Sequence, residues 1–367
     1  MSAPARVGLV GCGVISLTYA ANAGAFDTFE IVACADLDEG RRTALAEAHG
    51  LVAMEPDALL ADPELDIILN LTPPAAHHEV TRAAIEQGKH VYSEKPLAMG
   101  SSEAEELLAL AESRGVRIGC APDIFLGGAY QEARALVDQG ALGTPLAVSA
   151  TMLAGGQAAW HPDPDIFYRE GAGPLLDMGP YYLTAIIALL GPVQRVGGLA
   201  STLVTERAIE LGPRAGERFA AETPTHTAAV MELESGALAT LVASFEAPNH
   251  YASTMLVLGS DGTLELPDPN FFEGLVRMRQ GRGDWADVPY ASRGAREARG
   301  IGLHELADAI AHGRAPRASG ALAHHVVDVA RSILTAAAGG STAVVASSID
   351  RPDPFPVGGS VASESIS

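Results

Sequence analysis

The chain has 367 residues, of which 48% are hydrophobic and 19% are charged. This length predicts two domains rather than one, and the hydrophobic content excludes a chain that is disordered as a whole. The formal net charge of -21, from 24 basic and 45 acidic residues, argues against nucleic acid or an anionic membrane surface as a partner.

The three cysteines, Cys12, Cys34 and Cys120, lie in or beside predicted strands and show neither a CxxC pair nor metal-ligand spacing. We therefore expect no metal site, and a reducing compartment. No apolar run approaches the ~20 residues of a membrane-spanning helix. The expectation is a cytoplasmic protein that does not interact with a membrane.

The first motif is a glycine-rich turn between a predicted strand, residues 5–10, and a predicted helix. Gly11 permits a tight turn, Gly13 lets the backbone approach a pyrophosphate, and Ser16 is small enough for close helix–strand packing. The unpaired N–H groups at the start of the helix supply an anion site. The pattern therefore predicts a dinucleotide-binding turn. Its predicted cofactor contacts are Gly11, Gly13, Val14 and Ile15.

A carboxylate follows the second predicted strand, residues 30–35. Asp36 lies about 20 residues beyond Ser16, where an acidic side chain binds the ribose hydroxyls of the adenosine. A carboxylate there repels a 2′-phosphate, so the sequence favours NAD over NADP. Arg41 and Arg42 lie one turn further along and weaken that preference slightly.

Strands and helices continue to alternate as far as residue 122, which predicts an α/β domain with a doubly wound parallel sheet of the Rossmann type over residues 1–122. Ligands bind at the carboxyl ends of the strands in such a sheet. Thr72 and Pro73 follow one predicted strand, and Glu94 and Lys95 lie at the end of another. We therefore expect these residues at the edge that binds the nucleotide.

Lys95 is unusual because the chain contains only two lysines, Lys89 and Lys95, among its 24 basic residues. A lysine in a dry site can lose its proton near neutral pH, whereas an arginine cannot. The residue by itself does not decide between a titrating amine and an ordinary surface cation.

Beyond residue 122 the pattern changes to longer stretches of alternating polarity. It predicts a second, α+β domain over residues 123–346, with an open and mostly antiparallel sheet. Residues 347–367 are rich in Ser, Pro and Gly and are predicted to form a tail or an arm onto a partner. The predicted helices within and after the sheet are 174–191, 297–313 and 321–338.

The helix at 174–191 follows a glycine-rich turn and carries Asp177 and Tyr181 four positions apart, on one helix face. The phenol of Tyr181 can give or take a proton, and Asp177 can orient a hydroxyl or hold a cation. On this pattern alone, an ordinary amphipathic helix with an acidic first turn is the stronger explanation. Upstream, Trp160 and His161 offer a stacking face and a hydrogen bond for a sugar ring, with a structural tryptophan as the alternative.

Several stretches together resemble the glucose-fructose oxidoreductase / inositol dehydrogenase family (Gfo/Idh/MocA). They are residues 11–16, Thr72-Pro73-Pro74 with His77, residues 88–98, residues 171–181, and the late helix with His325 and Asp328. The resemblance reaches about residue 346. It implies an NAD(P)-dependent oxidoreductase of a sugar, cyclitol or related polyol. It also implies a homo-oligomer, dimer or tetramer, through the C-terminal sheet.

The resemblance also implies roles for single residues. It places Lys95 beside the reacting hydroxyl or carbonyl, and it makes Asp177 the acid of the family's Asp-x-Gly-x-His pattern. Tyr181 takes the histidine position of that pattern, a departure that members similar to glucose-fructose oxidoreductase share. Pro74 is a second departure, because the family often has asparagine there. His77 is expected to line the nicotinamide side of the cofactor. The implied cofactor contacts also include Thr72, Pro73, Glu94 and Lys95, and the implied substrate contacts are Lys95, Trp160, His161, Asp177 and Tyr181.

The chemistry suggests how these groups cooperate. Hydride leaves a carbinol carbon only as the hydroxyl proton is lost, so a base must lie near the oxygen. Tyrosine is a poor base at its reference pKa of ~10, but a nearby ammonium lowers that pKa. Our hypothesis is that Lys95 and Tyr181 act as a coupled pair, which Asp177 orients. In the reverse direction, Tyr181 or Lys95 protonates the alkoxide formed from a ketone.

Two alternatives remain open at this point. The first is a reductase of a keto-sugar or an unsaturated product in a catabolic pathway. The second is a non-catalytic sensor, in which the fold binds NAD and the second domain signals to a partner.

Overall fold

The computed structural model describes residues 3–161, 163–247, 251–291 and 298–355. The strands are β1 (Ala5–Val10), β2 (Phe29–Ala35), β3 (Val52–Met54), β4 (Ile67–Asn70), β5 (His90–Ser93), β6 (Ile118–Cys120), β7 (Pro145–Leu153), β8 (Val193–Ser201), β9 (Glu206–Ala208), β10 (Arg218–Ala220), β11 (His226–Leu233), β12 (Leu238–Ser244), β13 (Ala252–Gly259), β14 (Gly262–Leu266), β15 (Arg277–Gln280), β16 (Ala286–Asp287) and β17 (Ala343–Val344). The α-helices are α1 (Val14–Asn22), α2 (Glu39–His49), α3 (Pro56–Ala61), α4 (His77–Glu86), α5 (Ser101–Arg114), α6 (Gly128–Asp138), α7 (Pro174–Asp177), α8 (Gly179–Leu190), α9 (Ile301–Ala311) and α10 (Gly320–Gly339).

The chain forms two compact units. Of the described residues, 3–127, 298–324 and 355 form the first unit, and those between 128 and 291 and from 325 to 354 form the second. Two parts of the predicted elements lie outside the described residues. They are residues 356–367 of the predicted tail and residue 297, the first of the predicted helix 297–313. No helix in the described ranges is long and apolar enough to cross a membrane.

The first unit contains a parallel sheet, whose six strands in the described part of the chain follow the order β3-β2-β1-β4-β5-β6. Every pair of neighbours in it is parallel. The central strands are buried almost throughout, because helices cover both faces of such a sheet and leave no polar side. This order is that of a doubly wound dinucleotide-binding domain, and it confirms the predicted Rossmann fold.

The chain returns to the first unit between the two stretches that form the second. A carboxylate oxygen of Asp123 accepts the backbone N–H of Gly302, in the first turn of α9, at 2.7 Å. An isolated backbone bridge joins Gly119 to Ser319. Residues 298–324 thus group with the Rossmann sheet, whereas the sequence analysis placed 123–346 in one domain. The partners lie far apart in sequence (179 positions for Asp123 and Gly302), so no local pattern marks the return.

The second unit contains the large open sheet that the sequence predicts. In the described residues its nine strands follow the order β16-β15-β14-β13-β7-β12-β11-β8-β17, and β9 and β10 form a separate hairpin. The pair β12–β7 is parallel, and the other neighbours are antiparallel. Burial alternates along β11, β12 and β14, as expected for a sheet with one covered face. The mostly antiparallel α+β prediction is therefore confirmed.

The predicted helix at 174–191 is two helices. α7 ends at Asp177 and α8 begins at Gly179, with Met178 between them. Pro180 has no N–H to donate to the carbonyl of the residue four positions earlier, so the helical hydrogen-bond ladder is interrupted at this point. Every residue of α8 is buried, and the helix contacts α6, β7 and β12. The expectation of one continuous helix carrying Asp177 and Tyr181 was wrong.

Candidate active site

The glycine-rich turn joins β1 to α1, and glycine is needed at its two glycine positions for different physical reasons. Gly11 has φ of +100°, and a Cβ there would lie 2.6 Å from the backbone carbonyl of Leu71. Gly13 has an ordinary φ, and a Cβ there would meet nothing within 4 Å. Gly11 is thus required by the protein itself, whereas the space beside Gly13 fits an approaching ligand. The hydroxyl of the fully buried Ser16 donates to the carbonyl of Gly13 at 2.6 Å and fixes the start of α1.

Asp36 lies directly after β2 and is tied to the glycine-rich turn. One carboxylate oxygen accepts the backbone N–H of Cys12 at 2.8 Å, and the other accepts that of Asp38 at 2.9 Å. Each oxygen keeps a second lone pair for a ribose hydroxyl. The guanidinium of Arg42 donates to the backbone carbonyl of Asp36 at 3.0 Å and pairs with Glu55, so both groups hold Arg42 beside the strand end.

Two large apolar side chains are exposed next to these groups. Val14, in the first turn of α1, is 85% exposed, and Leu37, which follows Asp36, is 92% exposed. Ile15 is partly buried. Exposed apolar side chains beside a polar site can be covered by a bound aromatic ring. The sequence analysis missed Leu37, although its place directly after the acidic residue could have suggested it.

The turn after β4 is held by His77. Its side chain is 1% exposed, and its ring nitrogens lie 2.7 Å from the carbonyl oxygen of Thr72 and 2.6 Å from that of Pro96. Burial lowers the pKa of His77. The imidazole therefore ties the Thr72-Pro73 turn to the turn that carries Lys95. Its two ring nitrogens are both directed to backbone carbonyls.

Lys95 is half-buried and lies in a turn fixed by its neighbour Glu94. One carboxylate oxygen of Glu94 accepts the backbone N–H of Lys95 at 3.0 Å, and the other accepts the hydroxyl of Tyr19 at 3.1 Å. Tyr19 belongs to α1, so a side-chain hydrogen bond links the cofactor helix to this turn. The other lysine, Lys89, is buried and donates to two backbone carbonyls at 2.7 Å each, which is a structural role.

A buried carboxylate, Asp123, lies in the same unit as this turn. Burial, together with the negative charge of Glu94, raises the pKa of Asp123 from its ordinary value of 3.8 to about 6, against the opposing effect of the Gly302 N–H. Burial also raises the pKa of the neighbouring phenol of Tyr92. The first unit therefore contains a buried carboxylate, Asp123, whose charge changes near pH 6.

In the second unit, the glycine-rich turn before α7 positions Asp177. Gly171 and Gly173 have φ of +83° and +91°, and a Cβ on Gly173 would lie 2.7 Å from the carbonyl oxygen of Pro224. α7 then begins at Pro174. A carboxylate oxygen of Asp177 accepts the side-chain N–H of Gln157 at 2.9 Å. Gln157 is a neighbour of Asp177 that the sequence analysis did not identify.

The two adjacent tyrosines of α8 differ in their surroundings. Tyr182 is fully buried, and its hydroxyl lies 2.6 Å from that of Ser253 in β13. Burial raises the pKa of Tyr182. Tyr181 is 8% exposed and follows the break at Met178. Tyr182 therefore has a structural role, and Tyr181 remains the candidate of this helix for proton transfer.

Trp160 and His161 lie in an irregular segment of the second unit. Trp160 is 60% exposed, and its ring packs edge-on against that of His161 with centroids 5.5 Å apart. Nδ1 of His161 accepts the backbone N–H of Asp163 at 3.0 Å. The carboxylate of Asp163 pairs with Arg214, which lies between β9 and β10, at 3.1 Å. The exposed indole thus has a supported position that can stack on a ligand.

The predicted residues fall into one group in each unit. In the first unit, hydrogen bonds link the glycine-rich turn to Asp36, Thr72 to His77, and α1 to Glu94. In the second unit, a hydrogen bond joins Asp177 to the segment before Trp160. Tyr19 and Gln157, which make two of these links, carry no sequence motif and reach their partners only through the tertiary fold.

The first group fits a dinucleotide. α1 begins without a side-chain cap, so its first N–H groups are available to an anion. The open space beside Gly13 suits a pyrophosphate, and the carboxylate of Asp36, which accepts the Cys12 N–H, suits a ribose. In the described parts of the chain, no group of three or more His, Cys, Asp or Glu side chains is arranged to hold a metal ion.

Comparison with known families agrees with this fit. A family model described as "Oxidoreductase family, NAD-binding Rossmann fold" matches residues 5–121, and the model of the GFO/IDH/MocA C-terminal domain matches residues 130–265. The chain belongs to the Gfo/Idh/MocA family. It is therefore an NAD-binding oxidoreductase, and the family predicted from the motifs is confirmed.

Individual members of the Gfo/Idh/MocA family cover most of the chain. A dTDP-3,4-didehydro-2,6-dideoxy-alpha-D-glucose 3-reductase from Streptomyces violaceoruber is 34% identical over 265 residues, which span 71% of this chain and 72% of that protein. A myo-inositol 2-dehydrogenase from Thermotoga maritima is 26% identical, over 71% of this chain and 74% of its own. The solved structure of a levoglucosan dehydrogenase with NADH and levoglucosan has a TM-score of 0.82 at 20% identity, covering 94% of this chain and 100% of that one. At that identity the likeness shows the shared fold.

Proposed function

We propose that this protein transfers hydride between NAD and a secondary alcohol or ketone of a sugar, cyclitol or related polyol. The observation that carries the proposal is the turn of Glu94, Lys95 and Pro96, which follows β5 and so lies at the carboxyl edge of a dinucleotide-binding sheet. The names of the relatives, which are a sugar reductase and a cyclitol dehydrogenase, support the substrate class.

The proposal assigns proton transfer to Lys95 and Tyr181, acting on one reacting oxygen. When bound, NAD supplies the hydride acceptor. The Lys95 ammonium stabilises negative charge on the substrate oxygen, and Tyr181, as its phenolate, takes the proton as that charge forms and becomes the phenol. Asp177, held by Gln157, orients the substrate hydroxyl. In the opposite direction, Tyr181 returns the proton to the oxygen.

The proposed cofactor contacts are those of the first unit. Gly11, Gly13, Val14 and Ile15 receive the pyrophosphate at the start of α1, and Asp36 binds the adenosine ribose. Thr72 and Pro73 lie in the next turn, with Glu94 and Lys95 beyond it. His77 contributes by holding these turns together through two backbone carbonyls. NAD is preferred over NADP because the Asp36 carboxylate repels a 2′-phosphate.

The proposed substrate contacts in the second unit are Trp160, His161, Asp177 and Tyr181. The exposed indole of Trp160 offers an apolar face to the C–H side of a sugar ring. His161 and Asp177 offer hydrogen bonds to ring hydroxyls. Direction is set by the substrate and by the ratio of NAD to NADH, so reduction of a keto-sugar uses the same groups in reverse. The 3-reductase named above is the observation that favours this second candidate.

The test is a substrate panel followed at 340 nm. NAD with myo-inositol, levoglucosan, D-xylose or D-glucose is expected to give NADH with at least one member. Tyr181→Phe should lower kcat by roughly 10²- to 10⁴-fold, the range for loss of a general base. Tyr182→Phe is the matched control and should keep kcat within a few fold, because that hydroxyl bonds Ser253. NAD binding with no turnover of any panel member, in either direction, would favour the sensor.

We also propose that the exposed face of the second unit's sheet forms the interface of a homo-oligomer, either a dimer or a tetramer. Leu199, Val230 and Leu238 lie on neighbouring strands of this face and are 74%, 56% and 58% exposed. A contiguous exposed apolar patch is typical of an association surface. Light scattering should give a dimer or tetramer, which Val230→Arg dissociates. The control Leu211→Arg changes an exposed apolar residue away from this sheet and should leave the assembly intact.

A cytoplasmic location completes the proposal. Cys12, Cys34 and Cys120 are all free thiols, which agrees with a reducing compartment. Cell fractionation with an antibody to the chain should find the protein in the cytoplasmic fraction, and recovery from a secreted or membrane fraction would contradict it.

A further inference from the structure

We propose that Gln157 is a positioning and specificity residue of the active site, which fixes the Asp177 carboxylate with its amide nitrogen and accepts a substrate hydroxyl with its amide oxygen. The inference rests on the proposed function of Asp177 and adds to it a side chain that no motif marks. It commits to a polyol substrate that presents a hydroxyl donor beside the group oriented by Asp177.

The orientation of the Gln157 amide follows from its partner. Nε2 lies 2.9 Å from a carboxylate oxygen of Asp177. An ionised carboxylate only accepts hydrogen bonds, so the NH₂ group of the amide must face it. The amide oxygen then points away from the carboxylate, and the two ends of the side chain have separate tasks.

The position of Gln157 is fixed by the backbone around it. Its own side chain is 5% exposed. Its carbonyl oxygen accepts the backbone N–H groups of Trp160 and His161, at 3.2 and 2.9 Å. The preceding Gly156 has φ of +75°, and a Cβ there would lie 2.0 Å from the hydroxyl of Tyr168. The same residue therefore holds Asp177 and the segment that carries the indole and the imidazole.

The amide oxygen is the second, independent observation. Oε1 of Gln157 is buried and has no hydrogen-bond partner among the residues that the structure describes. Buried polar atoms in folded proteins are almost always paired, and an unpaired one indicates a missing water or ligand donor. A hydroxyl is the donor that a sugar or cyclitol provides, and Oε1 is covalently fixed next to the group that holds Asp177. The geometry thus gives this ligand donor a defined acceptor.

The first test compares Gln157→Leu with wild type, using the best substrate of the panel. Losing one hydrogen bond to a charged group is expected to lower kcat/KM by roughly 10- to 100-fold, with NAD affinity unchanged because NAD binds the first unit. In an Asp177→Asn background the same change should have much less effect, because Gln157 acts partly through Asp177. Gln194→Leu, at an exposed glutamine of β8, is the matched control and should have wild-type kinetics.

The second test uses pH to separate positioning from folding. Gln157→Glu places a second carboxylate beside Asp177, and two adjacent carboxylates share a proton more readily as the pH falls. The protonated form can donate to Asp177 as the amide does. The activity of Gln157→Glu relative to wild type should therefore rise as the pH falls from 8 to 5.5. A ratio that is flat with pH would overturn the positioning role, since a purely structural defect does not depend on this proton.

The third test does not depend on turnover and separates the inference from the proposed function. Crystal structures of wild type and Gln157→Leu should show the Asp177 carboxylate in different orientations. In wild-type crystals soaked with myo-inositol or levoglucosan, a hydroxyl of the polyol should donate a hydrogen bond to Oε1 of Gln157. An unchanged Asp177 orientation, or a soaked polyol that avoids Oε1, would overturn the inference even in an active enzyme. A wild type that turns over no panel member refutes the proposed function, while the structures still decide the role of Gln157.

Discussion

The buried carboxylate of Asp123 makes the stability of the first unit depend on pH, and Asp123→Asn removes that dependence. Asp123 is 2% exposed, and burial raises its pKa from 3.8 to about 6. A folded-state pKa above the unfolded value means that the folded protein binds the proton more tightly. The group therefore favours folding at low pH, and this contribution is lost as the pH rises from about 4 through 6.

The magnitude follows from the two pKa values. Their difference of roughly 2.2 pH units corresponds to about 3 kcal/mol at ~1.4 kcal/mol per unit, lost in full well above pH 6. Between pH 5 and pH 8, integration of the two titrations gives a change of roughly 1.4 kcal/mol. Asparagine keeps an oxygen that can accept the N–H of Gly302 but does not ionise, so this pH-dependent part is absent from the variant.

Urea denaturation of both proteins at pH 5, 6, 7 and 8 measures the effect. The free energy of unfolding of Asp123→Asn, minus that of wild type, should increase by roughly 1.4 kcal/mol between pH 5 and pH 8. The buried His77 and His90, whose pKa values are lowered by burial, destabilise both proteins on acidification and cancel in the difference. A difference that is constant with pH, or that falls as the pH rises, would refute the reasoning.

Three further predictions concern the cofactor group. Gly13→Val should keep the stability of wild type and weaken NAD binding roughly 100-fold, whereas Gly11→Val should lower stability because its Cβ meets backbone. Thermal melting measures the stability of each variant, and fluorescence titration with NAD measures its affinity. Equal effects of the two substitutions on folding would contradict the different roles of Gly11 and Gly13. Asp36→Ala should weaken NAD binding about tenfold and should weaken NADP binding by a smaller factor, both measured by the same fluorescence titration. An unchanged ratio of the two affinities would show that Asp36 does not select the cofactor. His77→Phe removes the hydrogen bond that the neutral imidazole donates to one of the two carbonyls beside it, and should lower the free energy of unfolding by about 1–3 kcal/mol in urea, while a loss below ~0.5 kcal/mol would contradict its role as a tie between turns.

The Rossmann sheet could be predicted because its signals are local. Buried strands such as β1 and β4 are continuous apolar runs, and Gly11, Gly13 and Asp36 follow them at fixed spacing. The short strand β3 and helix α3 were missed. β3 has three residues and is largely exposed, so it lacks the apolar run that marks its neighbours.

The second unit was predictable in type but not in detail. Alternating burial identified its strands, yet β9, β10, β16 and β17 were missed because each has only two or three residues. The break between α7 and α8 could have been predicted, since Gly179 and Pro180 stand inside the expected helix. The return of residues 298–324 to the first unit could not have been predicted, because it depends on contacts between residues far apart in sequence, such as Asp123 and Gly302.

The candidate site shows the same limit. Motif residues such as Lys95 and Asp177 could be predicted from their positions in the sequence. The residues that hold them in place by hydrogen bonds could not be predicted in this way. Tyr19 reaches Glu94 across 75 positions, and Gln157 reaches Asp177 across 20. His77 is expected to line the nicotinamide, and nothing in the sequence indicated that both of its ring nitrogens would lie beside backbone carbonyls.

We propose that Lys95 acts in hydride transfer, and single-turnover kinetics of Lys95→Ala give the sharpest test of this role. Mixing enzyme and NAD with the best substrate of the panel, and following NADH at 340 nm, should give a rate at least ~100-fold below wild type, with the Kd for NAD little changed. Lys95→Arg keeps the charge but spreads it over a larger, planar group, so it should recover only part of the loss. A Lys95→Ala rate within a few fold of wild type would contradict the account.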